Sequence, residues 1–200
     1  TGANSYIGTS FENYIRKNFS ETYAVDTVDM IDGNWREKSF AGYDSVFHVA
    51  GIAHRKETRE TAHLYYEVNC DLAIETADKA KKEGVKQFIF LSSMSVYGKN
   101  TGTITKETPI IAKSNYGKSK VEAEKGILAL QNTEFQVAIL RPPMIYGKEC
   151  KGNYQALVKL ALKFPFFPYV KNQRSMLYIE NLCEFVRLIL DSGESGLFCP

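Results

Sequence analysis

Phe88-Ile89-Phe90-Leu91-Ser92-Ser93 is a nearly continuous apolar run that stops at two hydroxyls. A strand that is apolar at every position has no wet face, so this one belongs in a parallel sheet covered on both sides. Outward from it, strand and helix patterns alternate. Ser45 to Ala50 and Phe135 to Leu140 read as further strands, and Thr22 to Asp29, rich in β-branched and aromatic residues, as another. Phe11, Tyr14, Ile15 and Phe19 recur at helical spacing and predict a helix over about 8–18. Leu64 to Lys82 is helical, with Gly84 where a helix C-terminus favours glycine. Helices are also expected at Tyr116 to Leu130, Tyr154 to Phe164 and Glu180 to Leu190, and Gly196-Leu197-Phe198-Cys199 reads as the start of a strand. Lys99 to Ser114 is a polar loop. This alternation predicts an α/β fold, a doubly wound parallel sheet with helices on both faces.

The 200 residues suit one large domain, and 44% hydrophobic with 24% charged residues is ordinary globular composition. A formal net charge of +2 gives no electrostatic footprint for nucleic acid or an anionic membrane. No apolar run is long enough to span a bilayer. Cys70, Cys150, Cys183 and Cys199 are widely separated, which excludes a C-x-x-C metal pair and fits reduced thiols in a cytoplasmic protein. The chain opens at Thr1 without Met and stops at Pro200 within an apparent strand, so it reads as an interior fragment lacking its first strand.

Thr1-Gly2-Ala3-Asn4-Ser5-Tyr6-Ile7-Gly8 opens the first helix. A glycine-rich turn at a helix N-terminus lets backbone amides reach a pyrophosphate. Only two glycines are present, so the turn by itself is equally an ordinary capped helix start. An acid closing the next strand would accept hydrogen bonds from a ribose; Asp26, Asp29 and Asp32 compete, and Asp29 is preferred because Tyr23 to Val28 makes a strand of normal length. An acid there disfavours a 2′-phosphate, unless Arg36 folds back.

Tyr116-Gly117-Lys118-Ser119-Lys120 places Tyr116 and Lys120 on one helical face. A phenol with pKa near 10 is a poor base at neutral pH. A neighbouring ammonium favours the phenolate, which can then exchange a proton with a substrate hydroxyl. With 12 tyrosines in the chain the spacing alone arises by chance. Its weight comes from context: the helix follows a loop downstream of the strand ending in Ser92-Ser93, and ligands sit at the carboxyl ends of parallel strands.

Taken in order, T-G-x-x-x-x-x-G, H-V-A-G, S-S-M-S-V-Y-G, Y-G-K-S-K and R-P-P-M-I-Y-G resemble the extended short-chain dehydrogenase/reductase superfamily. Within it, the chain is similar to the NAD-dependent epimerase/dehydratase family that acts on nucleotide sugars, over essentially its whole length. The resemblance implies an NAD-binding Rossmann-like domain over 1–150, and over 151–200 the start of a substrate-binding region interleaved with it. It implies that Gly2, Ser5 and Gly8 hold the three glycine positions, with Asn4, Tyr6 and Ile7 completing the turn, and that Val49, Ala50 and Gly51 line the cofactor. His48 is then structural, and Asn69 a tether for nearby backbone. Ser93 matches the catalytic Ser/Thr, Tyr116 the acid/base and Lys120 its partner. Pro142 and Pro143, with the segment through Ile145, pass close to the nicotinamide, and Arg174 matches a nucleotide-diphosphate position. Phe164-Pro165-Phe166-Phe167-Pro168 borders the sugar pocket or is a packed loop.

Two departures narrow the chemistry. The Asp-Glu pair that drives dehydration is replaced by Met94 and Ser95, neither of which is a general acid or base. An Asn that touches the sugar nucleotide is replaced by Met144. The implied activity is 4-epimerisation of a nucleotide-diphosphate sugar through a 4-keto intermediate. A reductase of 4-keto sugar nucleotides and a non-catalytic dinucleotide-binding protein are the alternatives. No metal is implied. Relatives pair through the helices matching Leu64–Lys82 and Tyr116–Leu130, which makes a homodimer an expectation; Tyr65, Tyr66 and Leu72 serve either that surface or a buried face within the chain.

Overall fold

The computed structural model describes residues 1–53, 58, 61–150, 153–164, 166, 169 and 173–200. Its strands are β1 (Ser45–His48), β2 (Gln87–Leu91), β3 (Gln136–Leu140), β4 (Met144–Tyr146), β5 (Met176–Tyr178) and β6 (Gly196–Phe198). Its α-helices are α1 (Tyr6–Phe19), α2 (Ala62–Tyr66), α3 (Leu72–Lys82), α4 (Asn115–Leu128), α5 (Asn153–Lys163) and α6 (Ile179–Ser192). A π turn, Glu67–Asp71, fuses α2 to α3. β1, β2, β3 and β6 form one parallel sheet in that order.

The alternation within β2 sorts the two cores. Phe88 and Phe90 face Ala73, Ala77 and Ala80 of α3 and Ala123 and Ile127 of α4. Ile89 and Leu91 face Phe11 and Ile15 of α1 and Leu182, Val186 and Ile189 of α6. Every residue of β2 is buried, as its unbroken apolar run requires. The small side chains of α3 and Gly126 of α4 let these helices approach; a Cβ on Gly126 would stand 2.3 Å from Ile74 Cδ1.

One expectation is corrected and one unexpected feature is added. The segment expected as a strand, Thr22 to Asp29, is extended but enters no ladder among the described residues. A strand needs a partner along its edge, and beyond its own turn at Phe19 the backbone of this segment is bonded, among the described residues, only at the tip of the first loop, where the Gly2 and Ala3 amides donate to the Val28 carbonyl at 3.0 and 3.3 Å. The other side of that tip meets β1, the Thr1 nitrogen donating to the Phe47 carbonyl at 2.8 Å. Second, β4 and β5 pair in parallel as a separate two-stranded sheet, Met144 opposite Met176 and Ile145 opposite Leu177. Three-residue strands carry too little periodicity to be read in advance. The remaining elements fall within a few residues of their expected bounds. Gly84 closes α3 at φ +84°, and β6 extends the sheet where Gly196 to Cys199 promised a strand.

Candidate functional site

The first loop is built around its close contacts. Gly2 has φ +88°, and an added Cβ would lie 2.8 Å from the Ala50 nitrogen. A Cβ on Gly8 would lie 2.7 Å from Ser5 Oγ and 3.0 Å from the Gly2 carbonyl oxygen. Ser5, at φ −77°, needs no glycine; its hydroxyl caps α1 by accepting the Gly8 amide at 3.1 Å. The Tyr6 and Ile7 amides, at the first two helical positions, have no acceptor within the helix. Asn4 turns the loop at φ +60°. The Tyr6 ring leaves the loop: its buried hydroxyl lies 2.8 Å from where a Gly147 Cβ would stand, and burial pushes the phenol up to about 12.

Beside this loop is an open cleft of about 640 Å³, lined by Asn4, Glu12, Asp29, Asp32, Asn34 and Lys38 among others. It sets one of the three competing acids, Asp26, apart from the other two. Asp26 accepts from the Tyr43 hydroxyl at 2.6 Å and does not line the cleft. Asp29 follows directly on Val28, at the loop tip, and accepts the Ile31 amide at 3.0 Å. Asp32 caps the turn at Asn34. Arg36 does not fold back: one guanidinium edge, Nε and Nη2, donates to both carboxylate oxygens of Glu75, and it lies over the Trp35 ring. Lys38, unremarked in the sequence, is the cation on the cleft wall.

From the cleft the loop leads to the second cluster. Gly2 abuts Ala50, with Val49 alongside, and Gly51 follows; a Cβ on Gly51 would lie 3.5 Å from Lys120 Nζ and 2.8 Å from Asn69 Oδ1. Asn69 sits fully buried in the π turn and clamps Ile52, accepting its amide at 2.8 Å and donating to its carbonyl at 3.0 Å. π turns often aim a side chain that a regular helix would misplace. Asn69 therefore has the tethering geometry expected of it. His48 is wholly buried between Phe88 and Phe90, and burial drives its pKa well below the ordinary range, so it is neutral and structural.

Ser93 and Tyr116 come from opposite sides of the loop 99–114 and meet at the carboxyl end of β2. Ser93 caps the short turn Met94–Tyr97, its hydroxyl accepting the Ser95 amide at 3.1 Å and donating to Ser95 Oγ at 3.1 Å. Met94 is held by its amide to the Pro142 carbonyl at 3.2 Å, which brings the Pro142–Pro143 turn beside Ser93. Tyr116 lies in the first turn of α4, capped by Ser114. Burial raises its phenol above the usual value near 10, while the Ser93 hydroxyl within hydrogen-bonding reach pulls the other way and Tyr65 adds to the rise. Lys120, one turn on, is buried; its ammonium donates to the Leu91 carbonyl at 2.8 Å and stands 4.6 Å over the Phe90 ring. Burial lowers it from 10.5 to about 8, and the Glu124 carboxylate opposes that fall.

Met144 and Ile145 lie in β4, half-buried, and the β4–β5 pairing brings exposed Arg174, two residues before Met176, to the same end. Part of the stretch from Phe164 to Pro168 lies outside the described residues. Of its two readings, Tyr65 takes the buried face within the chain: it is 2% exposed and packs edge-on against the Tyr116 ring, 6.3 Å between centroids. No group of three or more His, Cys, Asp or Glu side chains among the described residues is placed to hold a metal. No helix among them is long and apolar enough to cross a membrane.

The tight glycine contacts, the helix N-terminal amides left without an acceptor in the helix, and the open cleft beside them fit a dinucleotide. Comparison with known proteins agrees. The family model for the NAD dependent epimerase/dehydratase family matches residues 1–197. The chain is 34% identical over 211 aligned positions to the N-acetyl-α-D-glucosaminyl-diphospho-ditrans,octacis-undecaprenol 4-epimerase of Escherichia coli O157:H7, covering 98% of this chain and 63% of that protein. It is 37% identical over 160 positions to the UDP-glucose 4-epimerase of Vibrio cholerae, covering 76% of this chain and 49% of that one. The chain thus spans half to under two thirds of the length of these curated relatives. In fold it is similar to the crystal structure of a dTDP-4-dehydrorhamnose reductase from Clostridium acetobutylicum, with a TM-score of 0.80 at 21% identity, covering 100% of this chain and 71% of that one. With its glycine turn, its Ser93–Tyr116–Lys120 cluster and a family match over nearly all its length, the chain belongs to the NAD dependent epimerase/dehydratase family.

Proposed function

We propose that this chain carries the cofactor-binding half and the catalytic groups of an NAD-dependent 4-epimerase acting on a sugar joined to a diphosphate. The observation that carries the reading is the convergence of Ser93, Tyr116 and Lys120 at the carboxyl end of β2, next to Gly51 and the glycine turn. Gly2, Asn4, Ser5, Tyr6, Ile7 and Gly8 hold the pyrophosphate, Asp29 the adenosine ribose, and Val49, Ala50, Gly51, Pro143 and Ile145 line the remainder. NAD, when bound, supplies a reversible hydride acceptor at the sugar C4.

Tyr116 removes the proton of the 4-hydroxyl, and Ser93 donates a hydrogen bond to the same oxygen. Burial alone makes Tyr116 a worse base, so a cation beside it is needed to reach the phenolate. Lys120 is that cation, held in place by the Leu91 carbonyl. After the 4-keto sugar turns over, Tyr116 returns its proton to the oxygen and the opposite configuration results. Met94 and Ser95 offer no acid or base for eliminating water, which keeps the reaction an epimerisation. Ser95, Met94 and Met144 meet the sugar, and Arg174 meets the diphosphate. The two named 4-epimerase relatives differ in what lies beyond the diphosphate, uridine in one and undecaprenol in the other. The diphosphate sugar is the element they share.

The unbridged thiols of Cys70, Cys150, Cys183 and Cys199 suit a cytoplasmic enzyme. Half-buried Tyr66 and Leu72, without Tyr65, are our assignment for a homodimer contact.

The test is to denature the purified full-length protein and identify the nucleotide released. About one NAD or NADH per chain is the expected result, because a cycle that regenerates its cofactor has reason to keep it. Substrate deuterated at C4 should then give the 4-epimer with deuterium retained. A protein that releases nothing and prefers added NADPH is instead a reductase, and one that binds neither dinucleotide refutes the proposal.

A further inference from the structure

Beneath the site lies a buried polar cluster that the chemistry above does not use. Glu124, 3% exposed, sits one helical turn beyond Lys120 on α4. Both of its oxygens are taken by Arg141, which follows β3 and is 4% exposed: Arg141 Nε donates to Oε1 at 3.0 Å and Nη2 to Oε2 at 2.6 Å. The Ser92 hydroxyl also donates to Glu124 Oε1. The remaining edge of Arg141 donates to the Tyr97 hydroxyl at 2.8 Å, the last residue of the turn that Ser93 begins. The cluster therefore joins the strand end bearing Ser93, the turn after it, the strand leading to Pro142 and the helix bearing Tyr116 and Lys120.

Such a pair is costly to bury. Each ion loses its hydration, and apolar residues of similar volume often serve stability as well or better. Fastening β2 to α4 would not by itself require a carboxylate here.

We propose that Glu124 is a positioning residue for the reaction, fixing Ser93 and Tyr116 relative to each other through Ser92 and Arg141 and placing a negative charge one turn from the Lys120 ammonium. This rests on the function proposed above. Among the described residues, the groups facing Lys120 are few. Tyr116 and Glu124 lie on its own helix, the Leu91 carbonyl and the Phe90 ring are on β2, and neutral His48 is on β1. Arg141 reaches it only through Glu124. Glu124 is thus the anion that opposes the effect of burial on Lys120.

The experiment follows Lys120 directly, by NMR titration of nitrogen-labelled lysines in the full-length protein, with Lys120→Met identifying the signal. Glu124→Gln keeps the shape and removes the charge. Glu124→Gln with Arg141→Met removes both charges and spares the fold an unpaired buried cation. In whichever of these folds, the Lys120 ammonium should titrate lower than in the unaltered protein by about one pH unit. The alkaline limb of kcat should move down with it, KM should change little, and Glu124→Asp should restore part of the shift. An unchanged Lys120 titration in a folded variant overturns the proposal and leaves the cluster as a fastening alone. A shifted titration in a protein without epimerase activity refutes the function and keeps the assignment of Glu124 to Lys120.

Discussion

Replacing Gly2 by Ala tests the central contact of the site, because the structure separates two costs. At φ +88° a side chain is strained wherever it points, at about 1–2 kcal/mol. The new Cβ would also stand 2.8 Å from the Ala50 nitrogen and 3.1 Å from its Cα, both backbone atoms that cannot rotate away. Forcing a methyl into such a contact costs a further ~1–3 kcal/mol. Gly84 is the internal control. It has φ +84° with nothing within 4 Å of an added Cβ, so Gly84→Ala carries the conformational cost alone. Denaturant unfolding of the full-length protein should show Gly84→Ala destabilised by roughly 1 kcal/mol and Gly2→Ala by roughly 1–3 kcal/mol more. Calorimetric titration should show dinucleotide affinity intact in Gly84→Ala and reduced at least about tenfold in Gly2→Ala, since the amides of the loop move with it. Equal losses in the two variants would refute the argument, for then the loop does not rest against Ala50 as described.

Tyr116→Phe should keep the dinucleotide and fold while turnover falls by roughly 10²–10⁴, the usual worth of a positioned acid/base; unchanged turnover removes Tyr116 from the mechanism. Lys120 is lowered from 10.5 to about 8, so activity that needs its ammonium should decline as pH rises through about 8, read from a kcat profile. The same shift has the opposite sign for stability. Between about 8 and 10.5 the unfolded chain holds a proton that the folded chain has released, so this group destabilises the fold at neutral pH and the penalty fades as pH rises. Lys120→Met should accordingly unfold at higher denaturant, by roughly 1–3 kcal/mol, while activity is lost. Asn69→Ala leaves the Ile52 amide and carbonyl without their clamp. It should cost about 1–3 kcal/mol and speed amide hydrogen exchange at Ile52, with no change at β3.

How far each feature could be read in advance follows the range of the interaction behind it. The burial of β2 on both faces was legible in Phe88-Ile89-Phe90-Leu91, because the absence of any polar position leaves no face for water. The helices were legible from apolar spacing, with ends near Gly84 and Ser114, because capping and periodicity act over a few residues. Tyr116 and Lys120 were legible as a pair for the same reason: one helical turn joins them. Other features depended on contacts between distant parts of the chain. The β-branched and aromatic residues from Thr22 to Asp29 favour an extended backbone, which is a local preference. A ladder is not local, and beyond its own turn at Phe19 the backbone of this segment bonds only to the loop tip at Gly2 among the described residues.

The site divides along the same line. The residue types and their order along the chain determined the parallel α/β fold, the glycine turn and the Tyr116–Lys120 pair, since each is written in spacings of one strand or one helical turn, while Ser93 was picked out by its place in a motif that resembles the family's. Only the tertiary structure set Asp26 apart from the cleft, turning it to Tyr43 and leaving both Asp29 and Asp32 on the cleft wall. It alone buried Tyr65 against Tyr116 and engaged Arg36 with Glu75. It alone gathered Ser92, Tyr97, Glu124 and Arg141, which are unremarkable polar residues until β2, β3 and α4 close over them. The physical reason is that a charge or hydroxyl acquires its role from what surrounds it once water is removed, and those surroundings come from residues tens of positions away.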